Sequence, residues 1–78
     1  MRFAYSFHWS KKRERERSDI VEFMFEYAIQ NAQAQKDRYH ENAQNVICPI
    51  PPSGRKLKVV YRRIGKDKVK IITAYWLE

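Results

Sequence analysis

Hydrophobic and polar positions along the chain change period three times. From Arg2 to Phe7 they alternate loosely, with Phe3, Tyr5 and Phe7 on one side and Arg2, Ala4 and Ser6 on the other. Period two with aromatics predicts a short strand. Trp9 to Arg17 (WSKKRERER) has no apolar period. It is built from good helix formers, and Lys11–Glu14, Lys12–Glu16 and Glu14–Arg17 fall at helical spacing. A charged helix is expected there, with Ser10 as its N-cap. Ile20, Phe23, Met24, Tyr27 and Ala28 then recur every three or four residues, widened by Val21, Phe25 and Ile29. This predicts the main core helix over 19–33, opened by Asp19 and Glu22 at capping-box spacing.

Beyond it the apolar runs are short. Asp37 to His40 is read as the start of a strand, and Asn45 to Ile50 as a strand that Pro49 confines to an edge or ends. Pro51-Pro52-Ser53-Gly54 predicts a turn. Lys56–Ile64 and Val69–Leu77 both alternate, with Gly65 to Lys68 between them. Leu57, Val59 and Tyr61 share one face of the first run; Val69, Ile71, Thr73, Tyr75 and Leu77 share one face of the second. Two such runs around a short Gly-containing loop predict an antiparallel hairpin. The sum is an α+β domain, one or two N-terminal helices packed on a twisted antiparallel β-sheet.

Length and composition narrow the function classes. Seventy-eight residues make a single domain over 1–78, able to bury roughly 60% of its unfolded surface. With 44% hydrophobic and 14% aromatic residues it is too apolar for a disordered basic tail. One cysteine, Cys48, excludes an intrachain disulfide and fits a reducing compartment. No run is long enough to span a bilayer, and the aromatic N-terminus does not read as a signal peptide; the expectation is a cytoplasmic protein without membrane contact.

The formal net charge is +7. It is concentrated at the two ends of the chain: residues 1–18 and 54–78 are strongly basic, whereas 19–35 holds three acids and no Lys or Arg. If the ends meet in the fold they form one basic surface, which calls for an anionic partner. The first basic stretch holds His8, Lys11, Lys12, Arg13, Arg15 and Arg17, interleaved with Tyr5 and Trp9. The second holds Arg55, Lys56, Lys58, Arg62, Arg63, Lys66, Lys68 and Lys70, interleaved with Tyr61, Tyr75 and Trp76. Cations neutralise phosphates and aromatic faces stack on unpaired bases, so this composition points to RNA. Lys11, Arg15, Arg17, Lys58, Tyr61 and Lys70 are the expected RNA-binding residues. Metal-free RNA cleavage needs a base for the 2′-hydroxyl and cations for the crowded phosphorane. His8 is a candidate base, with Arg62 and Arg63 as cationic clamps. The blander readings are a solvated helix face for KKRERER, cross-strand packing for Tyr61 and Tyr75, and edge protection for Lys58 and Lys70. His8, His40 and Cys48 have no metal-ligand spacing, no phosphate loop or nucleophile elbow occurs, and no metal or cofactor is expected.

The order of these pieces resembles a known family. Phe7-His8 closes a strand, a basic helix follows, Ser18-Asp19-Ile20 opens the next helix, and the chain closes with GRKLKVVYRRIGKDKVKIITAYWLE. This is similar to small RelE-like proteins, especially BrnT-like toxins. The resemblance implies a RelE-like fold and a metal-independent endoribonuclease (mRNA interferase) toxin of a type II toxin–antitoxin pair. Its partners would be RNA, including ribosome-bound mRNA, and a cognate antitoxin protein. By position it carries a catalytic role onto His8, Lys12, Arg13, Arg62, Arg63 and Tyr75. BrnT-like members continue into C-terminal helices that help bind the antitoxin, whereas this sequence stops at Glu78. Two alternatives stand beside the toxin: a non-catalytic RNA-binding or ribosome-associated module, and a degenerate toxin-fold domain that binds protein. The wide apolar face of the main helix, with Phe23, Met24, Phe25 and Ile29, also leaves room for a homodimer.

Overall fold

The computed structural model describes residues 1–77. The elements are β1 (Arg2–Tyr5), α1 (Phe7–Arg15), α2 (Glu22–Asn31), β2 (Gln35–Lys36), β3 (Gln44–Ile50), β4 (Arg55–Gly65) and β5 (Lys68–Trp76). They form an α+β domain with one open five-stranded sheet in the order β1-β5-β4-β3-β2. All pairings are antiparallel except β1 with β5, which is parallel. The parallel pair requires a crossover between β1 and the rest of the sheet. Both helices precede β2 in the chain, and both pack on one face of the sheet.

That face is the core. Trp9 of α1, together with Phe25, Ala28 and Ile29 of α2, meets Val46, Cys48 and Ile50 of β3, Leu57, Val59 and Tyr61 of β4, and Val69, Ile71 and Ala74 of β5. Phe25 is the hub of an aromatic cluster, with ring centroids 5.7 Å from Trp9, 6.0 Å from Phe3 and 6.3 Å from Tyr5. These offset and edge-on geometries are favoured by the ring quadrupoles. Cys48 is free and buried, and burial pushes its thiol pKa up.

Several local expectations change. Phe7 opens α1 rather than closing β1, and its ring is exposed. The N-cap of α1 is Ser6, not Ser10. The Ser6 hydroxyl accepts from the Trp9 backbone N–H at 3.0 Å and donates to the Ile72 carbonyl at 2.7 Å. One side chain therefore caps the helix and ties it to the sheet, which Ser10 inside the helix cannot do. The main helix is shorter than 19–33, and Asp19 and Glu22 form no capping box; α2 has no side-chain cap. Glu22 instead accepts from the Tyr5 hydroxyl, and Asp19 from Trp76 Nε1. Of the predicted charge pairs on α1, Lys12–Glu16 forms at 3.2 Å. Asp37 to His40 is a loop, because the Asp37 carboxylate binds the backbone N–H groups of Tyr39 and His40 that a strand would use.

The hairpin forms, with one consequential difference. Its register shifts between Val60 and Tyr61: Val60 pairs with Thr73 and Tyr61 with Ile71, which leaves Ile72 as an extra residue. A bulge reverses the face of everything beyond it. Val69, Ile71 and Ala74 thus point to the helices, whereas Thr73 and Tyr75 point to the opposite face. Strict alternation had put Tyr75 with Val69 and Ile71. Pro49 lies within β3, opposite Lys56 of β4, and β2 reaches only Gln44 and Asn45 on the other flank. Pro49 thus sits where β3 is an edge, a setting in which its missing N–H costs no ladder bond.

Candidate nucleic-acid interface

The face of the sheet opposite the helices is not covered by any helix. Its residues follow from the register: Asn45, Ile47 and Pro49 on β3, Lys58, Val60 and Arg62 on β4, and Lys70, Thr73 and Tyr75 on β5; Asn45, Val60 and Thr73 among them are buried. One rung crosses three strands, Ile47–Lys58–Tyr75. Two cations lie near the Tyr75 ring. Lys58 Nζ is 5.9 Å from its ring centroid and Arg17 Cζ is 5.7 Å away. Arg17 reaches this point from beyond the end of α1, and its Nη1 donates to the Ala74 carbonyl at 3.3 Å. The Ile72 bulge is therefore what brings an aromatic ring onto the same face as Lys58, Arg62 and Lys70.

The loop between β2 and β3 folds over one end of this face. Asp37 is its anchor, with 3% of its side chain exposed. Its Oδ2 accepts from Tyr39 N at 3.0 Å, His40 N at 2.8 Å and His40 Nδ1 at 2.9 Å; its Oδ1 accepts from Asn45 Nδ2 at 2.9 Å. Burial alone raises the Asp37 pKa. The hydrogen bonds from the Asn45 and His40 side chains and the two backbone N–H groups outweigh it and hold the carboxyl down at about 2. Arg62 secures the other side of the loop, with Nη2 donating to the Glu41 carbonyl at 2.8 Å; its Nε is buried and has no partner among the described residues. Asn42 turns the chain with a φ of 59°, a conformation Asn tolerates well.

The sequence-predicted residues divide into groups. Lys58, Lys70, Arg62, Tyr75 and, by its reach, Arg17 share the uncovered face. Arg63 is on the other face of β4 from Arg62, with its guanidinium 6.0 Å from the Tyr61 ring. His8, Lys11, Lys12 and Arg15 line a small hollow with Glu16 on the outer side of α1. Lys11 lies over the Phe7 ring, and Lys12 is paired with Glu16. Arg13 ties α1 to the segment before α2, its Nε donating to the Ile20 carbonyl at 3.1 Å. Tyr61 is 1% exposed in the core, which removes it as a stacking surface for RNA. Burial pushes its phenol pKa up, partly offset by Arg63. The two basic ends of the chain thus meet through Arg17 at Tyr75, while His8 and the rest of α1's cations lie on the helical side.

A second hollow, of about 390 Å³, opens between the helices and is lined by Tyr5, Trp9, Ser10, Arg13, Glu14, Glu22 and Phe25. Two carboxylates against one cation make it a poor phosphate site. Within it Tyr5 donates to Glu22 at 2.7 Å; burial, then this bond and the Glu22 charge, push the Tyr5 pKa up to about 12. Among the described residues no group of three or more His, Cys, Asp or Glu is placed to hold a metal ion, and no helix is long and apolar enough to cross a membrane. Comparison with protein-family models, curated proteins and solved structures finds no significant match.

Proposed function

We propose that the protein takes single-stranded RNA on the uncovered face of its sheet and cleaves it without a metal. In this reading it is an mRNA-cleaving toxin with a RelE-like fold, held in check by an antitoxin protein that covers the same face. The observation that carries the proposal is Tyr75, presented on that face near Lys58 and Arg17, with Lys70 and Arg62 beside it. An aromatic ring stacks a base on a free face while cations beside it hold the adjoining phosphates.

The reaction forms a bond between the 2′-oxygen and phosphorus and breaks the bond from phosphorus to the 5′-oxygen. The 2′-hydroxyl gives its proton to solvent hydroxide, the 5′-oxygen takes one from the Lys58 ammonium, and the products are a 2′,3′-cyclic phosphate and a 5′-hydroxyl end. Tyr75 fixes the nucleotide so that the attacking and leaving oxygens are in line. Lys58 and Arg17 stabilise the charge that builds on the phosphorane, and the Lys58 ammonium protonates the leaving oxygen.

One observation favours binding without cleavage. His8, the expected base, lines its hollow with α1 residues alone and is not among the residues of the uncovered face. Both readings are tested by incubating the protein with mRNA in EDTA, with and without ribosomes, and by scoring growth on expression. Cleavage that is lost in Lys58→Ala and Tyr75→Ala supports the toxin. Salt-sensitive binding with intact RNA leaves the binding module. RNA that neither binds at low salt nor is cleaved removes both.

A further inference from the structure

The loop from Lys36 to Ala43 carries a basic and aromatic cluster that the charge pattern of the sequence hides, because its two cations are balanced by Asp37 and Glu41. In the fold these charges are separated: Asp37 keeps its charge but is buried, while Lys36 and Arg38 face solvent. The Asp37 carboxylate is turned inward onto Asn45, His40 and two backbone N–H groups. Lys36 and Arg38 remain exposed, and with Gln35, Asp37, Tyr39, Asn45, Ile47 and Lys58 they line a groove of about 320 Å³ in which three cations face one buried carboxylate. Tyr39 is 80% exposed, the most exposed large aromatic of the described residues. Its backbone N–H is fixed to Asp37, so the residue that carries the ring is held in place while the ring itself faces solvent.

Lys58 belongs to this groove and also to the Tyr75 site. The rung Tyr75–Lys58–Ile47 spans three neighbouring strands, roughly 10 Å from the first to the third at about 4.8 Å per strand. Ile47, 45% exposed, continues it into the groove beside Tyr39. The uncovered face thus offers an aromatic at each end of a short track and cations between and beside them. This matches the needs of a single strand whose successive bases stack and whose phosphates are neutralised.

We propose that Tyr39, with Lys36 and Arg38, forms a second nucleotide subsite, so that single-stranded RNA crosses the strands from Tyr75 over Lys58 and Ile47 to Tyr39. This rests on the reading that the uncovered face binds RNA. It adds the path of the strand and a specific stacking residue that the basic ends of the sequence do not contain.

The test is fluorescence anisotropy of labelled oligouridylates of two to eight nucleotides on the full chain at low salt. Wild-type affinity should rise with length until both aromatics are engaged. Tyr39→Ala should weaken binding of the longer oligomers about tenfold and leave the shortest unaffected, whereas Tyr39→Phe should bind like wild type. Phe7→Ala, an equally exposed aromatic on α1, is the control and should change nothing. Wild-type binding that Tyr39→Ala leaves unchanged at every length overturns the subsite alone, with Tyr75→Ala then showing whether the face is still used. A wild-type protein that binds no RNA at any length overturns the subsite together with the reading beneath it. Both Tyr39 variants should unfold at the wild-type temperature, since the ring is outside the core; a large loss of stability would mean the ring packs, and would also overturn the subsite.

Discussion

Replacing Asp37 by Asn tests how the loop over the uncovered face is held. The substitution keeps the shape of the side chain and removes its charge. Oδ2 accepts three hydrogen bonds and Oδ1 one, all between 2.8 and 3.0 Å. Rotation of the Asn45 amide can recover the contact at Oδ1, but the three at Oδ2 lose their charge assistance. The size of the effect follows from the carboxyl's titration. Its pKa is about 2 in the folded chain against 3.8 for the free group. At 1.36 kcal/mol per unit this is worth about 2 kcal/mol at neutral pH. The folded value is the lower one, so the contribution is complete above about pH 5, roughly half gone at pH 3, and lost as pH falls through 2. For a domain of this size about 2 kcal/mol lowers the melting temperature on the order of 10 °C. Urea unfolding of both proteins at pH 7, 4 and 3, followed by tryptophan fluorescence, measures the difference directly. The gap should be widest at pH 7 and shrink toward pH 3. A gap that is independent of pH, or below about 0.5 kcal/mol at pH 7, refutes the reasoning.

Other outcomes follow from the same structure. Ser6→Ala removes both the α1 cap and the bond to the Ile72 carbonyl, and should cost about 1–2 kcal/mol in chemical denaturation; Ser10→Ala should cost almost nothing. Trp9 is 1% exposed and its Nε1 is buried without a partner among the described residues, so Trp9→Phe should cost less than about 1.5 kcal/mol and Trp9→Ala about 3–5 kcal/mol, read from melting curves. RNA affinity should fall with salt at a log–log slope of about −2 to −3, the value for three or four phosphates on single-stranded RNA; Lys58→Ala should reduce that slope by about 0.7, and Lys12→Ala should leave it unchanged.

The periodic segments of the sequence were the legible ones. Val46, Cys48 and Ile50, like Leu57, Val59 and Tyr61, alternate as a half-buried strand must; the helix face was less legible, because α2 buries Phe25, Ala28 and Ile29 while Phe23, placed in the apolar stripe, is 58% exposed. What alternation cannot reveal is a residue that pairs with nothing. Ile72 is apolar and β-branched like its neighbours, so no local signal marks it as the bulge, yet it decides which face carries Tyr75. Capping was ambiguous for a related reason. Ser6 and Ser10 are both reasonable caps in isolation, and only the Ile72 carbonyl, sixty-six residues away in sequence from Ser6, selects between them. For the site, composition pointed to cations and aromatics but not to their sides. Arg62 and Arg63 are adjacent and therefore opposed on a strand, a separation readable from the sequence alone. Tyr39 and Arg38 lay in a segment of zero net charge, and only the inward turn of Asp37 exposes their character.

Two surfaces compete for RNA, the uncovered sheet face and the outer side of α1. Two charge reversals separate them: Lys58→Glu with Lys70→Glu on the sheet, and Lys11→Glu with Arg15→Glu on α1. Each pair changes the net charge by the same amount, so a general electrostatic effect is equal in both. Affinity for a single-stranded RNA at one fixed salt concentration is the measurement. If RNA lies on the sheet face, the sheet pair abolishes binding, while the α1 pair weakens it only a few-fold. Loss of binding in the α1 pair with wild-type affinity retained in the sheet pair would contradict that placement.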